Sequence, residues 1–222
     1  MAYILHIDTA SSSAAVSMAK DGTIIELIEN KLLSEHAAFL QPSIKKLLDS
    51  AGLAMKDLDA IAVANGPGSY TGLRVGLASA KGLCYALNKP LITIGTLPLM
   101  AHAAAAAEKN KEIFYAPMMD ARRMEVFTAV YDAEGKEKMS PVAKVLNNDS
   151  YVALLLHHKI LFFGSGAEKW KHICENVNAL FSGDYSTAQS FAQLSFEAYK
   201  EQQFAELAYS EPQYLKEFYT GN

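Results

Sequence analysis

Asp8 closes an apolar run, and Thr9, Ser11, Ser12 and Ser13 follow it within five positions. A carboxylate with hydroxyls in a tight hairpin can face a nucleotide phosphate or its magnesium ion. The same side chains can instead cap the turn, because short hydroxyl and carboxylate groups bond readily to nearby backbone amides. Spacing alone leaves both readings open.

A second candidate spans residues 64–76, ANGPGSYTGLRVG. Gly66, Pro67 and Gly68 make a tight turn that lets the backbone come close to a neighbour. Ser69 or Thr71 can then cap a helix, whose first free amides favour an anion. Gly72 and Gly76 share one helical face, and with Ser79 and Gly82 they leave it nearly bare. A glycine inside a helix costs about 1 kcal/mol against alanine, so a run of them calls for a compensating close contact. That contact can be with a partner helix or within the chain, and physics alone does not choose. Arg74, on another side of the same turn, is available to a carboxylate or phosphate.

Most common catalytic signatures are missing. There is no Walker A sequence, no H-E-x-x-H and no serine flanked by glycines two residues away. The glycines at 66, 68 and 72 miss the G-x-G-x-x-G spacing by one residue. His157 and His158 are adjacent and would diverge on a helix, which suits solvated or capping roles rather than one metal. Cys84 and Cys174 lie far apart outside any C-x-x-C pair, the pattern of reduced thiols.

These residues need a scaffold, and the pattern supplies one. Residues 3–8, 14–19 and 23–29 alternate or run apolar as strands, with a turn at Lys20-Asp21-Gly22. A helix follows, with Ser34 as N-cap and an apolar stripe through Leu33, Ala37, Leu40, Ile44, Leu47 and Ala51. Pro42 inside it predicts a kink or a division. A strand at 59–64, a helix closed by Asn88-Lys89-Pro90, a strand at 91–95 and an alanine-rich helix over 97–107 come next. The charged stretch 108–111 then predicts a domain boundary, giving domains 1–107 and 108–222. Beyond it the pattern restarts with strands near 113–119, 124–131 and 138–145. A short helix near 148–157, a strand at 159–163 and further helices follow. Two successions of meander and helices predict a duplicated α/β architecture.

Composition narrows the function classes. Half of the 222 residues are apolar, a fifth are charged, and the formal net charge is −4. No basic stripe marks a stand-alone nucleic-acid binder. The N-terminus has no basic segment before its apolar run, and the tract 91–107 is interrupted by Thr, Gly, Pro and His. A cytoplasmic protein with no membrane span is expected.

GPGSYTGLRVG closely resembles the signature of the TsaB family, also called YeaZ. ILHIDTASSSAAVSM is similar to that family's first hairpin, SEHAAFLQPSIKKLL to its first long helix, DARRMEVF to a later strand pair, and EPQYLK to its closing P-x-Y-L segment. The matches run from residue 4 to 216 in the family's order. The resemblance implies a glycoprotease-like branch of the actin, sugar-kinase and Hsp70 superfamily: two actin-like (ribonuclease H-like) α/β lobes on mixed five-stranded sheets, the second reduced. It implies a heterodimer with the catalytic paralogue TsaD and action with the ATPase TsaE. Together these place threonylcarbamoyl on the adenosine beside the tRNA anticodon. The tRNA would be met through the complex, and a homodimer can form on the same surface. That partner surface would use His36, Leu40, Ile44, Thr71, Gly72, Val75, Gly76 and Ser79, with Gly66, Pro67, Gly68 and Ser69 as the motif loop.

TsaD-type proteins hold metal partly through two histidines at i, i+4. Here His36 fills the first position and Leu40 the second, so no metal and no catalytic residue is expected. The first hairpin lacks the glycine this superfamily places after its aspartate. Gly164-Ser165-Gly166 resembles the second-lobe phosphate loop. Weak ATP or ADP binding at Asp8, Ser11, Ser12, Gly164 and Gly166, on a surface shared with the partner, is therefore the most that is expected, with no dedicated cofactor. The alternative is a stand-alone small ATPase, kinase or metallopeptidase-like enzyme, which Leu40 and the hairpin disfavour.

Overall fold

The computed structural model describes residues 1–11, 13–30 and 36–216, with the side chains of His36 and Ala37 left aside. The first unit comprises Met1–Thr96 and Thr187–Gln213. Its meander is β1 (Tyr3–Asp8), β2 (Ala14–Lys20) and β3 (Thr23–Asn30). After α1 (His36–Ala51) and a 3-10 turn, β4 (Ala60–Ala64), α2 (Tyr70–Leu87) and β5 (Leu91–Ile94) complete it. The sheet order is β3-β2-β1-β4-β5. β1, β2 and β3 pair antiparallel, while β1–β4 and β4–β5 are parallel. Parallel neighbours need a crossover, and α1 and α2 are those crossovers.

Alternation along β1 sends successive residues to opposite faces. Leu5 and Ile7 pack with Leu40, Ile44 and Leu47 of α1 and Leu77 and Cys84 of α2 in one core. The other face receives α6 (Ala188–Lys200), the last helix in the chain. There the buried His6 ring bonds through Nε2 to Ser195 Oγ at 2.6 Å, and Phe191 meets it edge-on at 5.0 Å. Gln189 ties the start of α6 to the β2–β3 turn, giving its amide to Gly22 O at 2.8 Å and receiving Ile24 N at 3.2 Å.

The second unit comprises Leu97–Ser186 and, of the described residues that end the chain, Tyr214–Lys216. After α3 (Thr96–Glu108) come β6 (Ile113–Asp120), β7 (Glu125–Tyr131) and β8 (Glu137–Val145). Then follow α4 (Val152–Leu155), β9 (Lys159–Phe163), α5 (Ala167–Lys171) and β10 (Ala179–Phe181). Read from β8, the sheet order is β8-β7-β6-β9-β10, the first unit's order repeated. The expected duplicated architecture of mixed five-stranded sheets is what forms. The second unit's crossovers are reduced, with 4 and 5 residues in α4 and α5 against 16 and 18 in α1 and α2.

Three expectations need correction. Of the kink or division expected at Pro42, division does not occur: α1 runs on through it, with the ring on the exposed side, where water can take the carbonyl that it leaves unbonded. The units do not part at 107/108. Leu97, Ala101 and Ala104 of α3 pack with Tyr115, Leu161 and Phe163, so the helix belongs to the second unit, and residues 187–213 return to the first. The predicted helix near 148–157 contracts to α4, and β10 was not foreseen. Ser34 and Leu33 lie outside the described residues.

Candidate functional site

β4 is buried along its whole length, and the chain must turn where it emerges. Gly66 takes φ +115° there, a region open to glycine, and its peptide bond to Pro67 is cis. The turn is fastened on several sides. Asn65 N donates to Ile94 O at 3.0 Å, Thr96 N to Gly66 O at 2.8 Å, and Gln213 N to Asn65 O at 2.7 Å. Ser69 caps α2, its Oγ accepting from Gly72 N at 3.2 Å.

The first hairpin lies directly on the start of α2. Ser69 N donates to Ala10 O at 2.7 Å, and Thr9 Oγ1 donates to Gly72 O at 2.7 Å. A Cβ on Gly68 would collide with the Ala10 carbonyl, one on Gly72 with the Thr9 carbonyl, and one on Gly76 with Thr9 Oγ1. These glycines are therefore consumed inside the chain. Two amides at the start of α2 are already bonded inside the chain, Ser69 N to Ala10 O and Gly72 N to Ser69 Oγ.

Asp8 behaves as a turn residue, its Oδ1 accepting from Ala10 N at 3.0 Å. Ser11 Oγ donates to Ser13 O at 3.0 Å, closing the next turn. Ser12 lies outside the described residues. Gly164 and Gly166 belong to the other unit, packed against the end of β6. A Cβ on Gly164 would stand 2.6 Å from Met118 O, and one on Gly166 2.6 Å from Val126 Cγ1. Ser165 Oγ accepts from Asp120 N at 3.1 Å, and Lys169 Nζ meets Asp120 Oδ1 at 2.7 Å. Burial alone would raise the Asp120 carboxyl; the Lys169 ammonium and the Arg122 amide outweigh it and hold it below the usual range.

The residues expected on the partner surface divide into two groups. Leu40, Ile44, Gly72 and Gly76 are buried in the first unit and cannot meet another protein without unfolding it. Thr71 is exposed, and Val75 and Ser79 are half-buried. His36 opens α1, its side chain outside the description. The bare face of α2 is thus the outer part of the predicted one, keeping Thr71, Val75 and Gly82 and losing the buried Gly72 and Gly76. It runs through Thr71, Val75, Ala78, Gly82 and Ala86, and Gly82 has nothing within 4 Å of where a Cβ would stand. Arg74 lies over the Tyr70 ring at 4.0 Å.

Other titratable groups serve packing. Cys84 and Cys174 are free thiols, and burial pushes the Cys84 thiol up to about 11. His158 stacks on Phe114 at 4.1 Å, apart from the exposed His157. Among the described residues no three His, Cys, Asp or Glu side chains gather as a metal site would require. Sequence reasoning missed His6–Ser195, which no local pattern encodes because its partners are 189 positions apart. It also missed Lys81, whose Nζ donates to Ala208 O and Ser210 O at 3.1 Å each.

A family model described as TsaD: tRNA N6-adenosine threonylcarbamoyltransferase matches residues 30–218. The Bacillus subtilis tRNA threonylcarbamoyladenosine biosynthesis protein TsaB is 30% identical over 177 residues, 78% of this chain and 76% of that protein. The Escherichia coli protein of the same name is 35% identical over 131 residues, 59% of this chain and 55% of that one, about half its length. A Pseudomonas aeruginosa crystal structure, described as an uncharacterized protein with similarity to peptidase YEAZ, superposes with a TM-score of 0.83. It is 24% identical and covers 97% of this chain and 100% of that one, so the two chains share one fold. The signature loop, the hairpin beneath it and these matches together establish that the chain belongs to the TsaB (YeaZ) family.

Proposed function

We propose that this chain is a non-catalytic partner subunit that binds and supports a TsaD-type protein in forming N6-threonylcarbamoyladenosine beside the anticodon of tRNA. The names of its relatives support the pathway, and the matching family model supports a TsaD-type partner. The observation that carries the non-catalytic reading is the occupied hairpin. Thr9 and Ala10 turn their carbonyls onto the start of α2, and the Asp8 carboxylate is bonded to the Ala10 amide. Nucleotide binding by the isolated chain is accordingly weak or absent, and a TsaE-type ATPase acts on the assembled pair. The tRNA is reached through the complex, and self-pairing uses the same surface when the partner is missing. The setting is the cytoplasm; among the described residues no helix is long and apolar enough to cross a membrane. A stand-alone ATPase, kinase or peptidase would need that hairpin open.

The outer column of α2 is the surface we assign to the partner. Small side chains there permit close helix approach without cost to this chain. Gly82→Leu tests it, because the position is exposed and unobstructed. The variant is expected to fold, and to gain about 1 kcal/mol from helix propensity. Its affinity for TsaD should fall at least about tenfold, as a protruding side chain in a close-packed interface does. Unchanged affinity, measured by calorimetry or co-purification, would move the partner surface elsewhere.

A further inference from the structure

The segment after α6 does not simply hang from the first unit. Ala205 forms an antiparallel bridge with Leu91 on the open edge of β5, its N–H bonding Leu91 O at 2.8 Å. Ala205 and Leu207 pack against the first core. Next, Lys81 on α2 reaches over the chain and holds the carbonyls of Ala208 and Ser210 with one ammonium group. Finally Gln213 N bonds Asn65 O at 2.7 Å, and Gln213 O sits 2.6 Å from where a Cβ on Gly66 would stand. The tail therefore runs from the sheet edge, past α2, to the turn that starts α2.

The fastening is sparse. The strand contact is one bridge, and Glu206, Ala208, Tyr209, Glu211 and Gln213 are exposed, Tyr209 at 78%. Segments with few buried contacts open locally without global unfolding. The middle anchor is the ion, and its acceptors are neutral carbonyls rather than a carboxylate. A charge-assisted bond is in general stronger than a neutral one, yet an approaching carboxylate would be a better partner for the ammonium. Acylating the amine would remove the anchor altogether.

From this arrangement we infer that residues 205–213 form a detachable strap latched by Lys81, and that releasing the latch frees both the β5 edge and the Asn65–Gly66 turn. Gly66 O holds the Thr96 amide, so the effect of opening extends from the tail to the signature loop.

Hydrogen exchange followed by mass spectrometry on the full chain tests this, comparing wild type with Lys81→Met and Lys81→Arg. In Lys81→Met the amides of Ala205, Ser210, Gln213 and Thr96 should exchange at least about tenfold faster, while those of β1 and β4 keep their wild-type rates. Chymotryptic cleavage after Tyr209 should accelerate in parallel. Lys81→Arg retains the charge and donors and should exchange like wild type. Unchanged tail exchange in Lys81→Met would overturn the latch. Faster exchange confined to the tail, with Thr96 unaffected, would overturn the coupling to the loop. Acceleration spreading through β1 and β4 would show Lys81 to be a general stability residue and overturn the proposal as a whole.

Discussion

Gly72→Ala is expected to destabilise the first unit by about 3 kcal/mol or more, although alanine is the better helix former. In an ordinary helix interior the exchange should stabilise by about 1 kcal/mol. Here the sign reverses, because the new methyl would collide with the backbone carbonyl of Thr9. A flexible side chain could turn aside; a strand-end carbonyl cannot move without displacing β1 or α2. The Thr9 hydroxyl bond to Gly72 O would be strained by the same movement. Overpacking of this kind costs about 1–3 kcal/mol in adaptable cores and more where backbone must shift. Thermal unfolding should show a Tm lower by roughly 10 °C, on the scale of about 2–4 °C per kcal/mol for a chain of this size. Gly82→Ala, with open space around it, should raise the Tm slightly. If Gly72→Ala proved as stable as wild type, the packing of the hairpin on α2 would be wrong.

Acid should unfold the first unit through His6. The ring is fully buried, and burial lowers its pKa from 6.5 to about 4, against the raising influence of the Ser17 carbonyl. The unfolded chain therefore takes up a proton near pH 6.5 that the folded chain refuses until about pH 4. Between those values the unfolded state binds more protons, so stability falls as the pH falls. At about 1.36 kcal/mol per pKa unit, this one group removes about 3 kcal/mol across that window. Above pH 6.5 its contribution is constant. Urea unfolding at pH 7, 5.5 and 4.5 should show this slope in wild type, and His6→Gln should flatten it. Parallel curves for the two proteins would contradict the assignment.

The sequence shows the element order well, because apolar alternation and helical spacing report local geometry. It shows tertiary return poorly. Nothing local says that α6 comes back to cover the sheet carrying His6, or that the tail crosses α2 at Lys81. The charged stretch 108–111 marks where a helix meets water, which is a different matter from where the units part. β10 escaped notice because three half-buried residues carry little pattern. The glycines of α2 are the most instructive case. Gly72 precedes Leu73 and Gly76 precedes Leu77, so their column borders the apolar stripe and faces the sheet. That signal was available in the sequence, and it separates the inward glycines from the outward column through Thr71, Val75, Ala78 and Gly82.

Reconstitution tests the central claim most directly. TsaD and TsaE from the same organism, with tRNA and the threonylcarbamoyl donor, would be assayed for N6-threonylcarbamoyladenosine with and without this chain. Transfer is expected only when the chain is present, and the chain without TsaD should give none. Equal transfer in its absence, or product formed by the chain alone, would contradict its role as a non-catalytic supporting subunit.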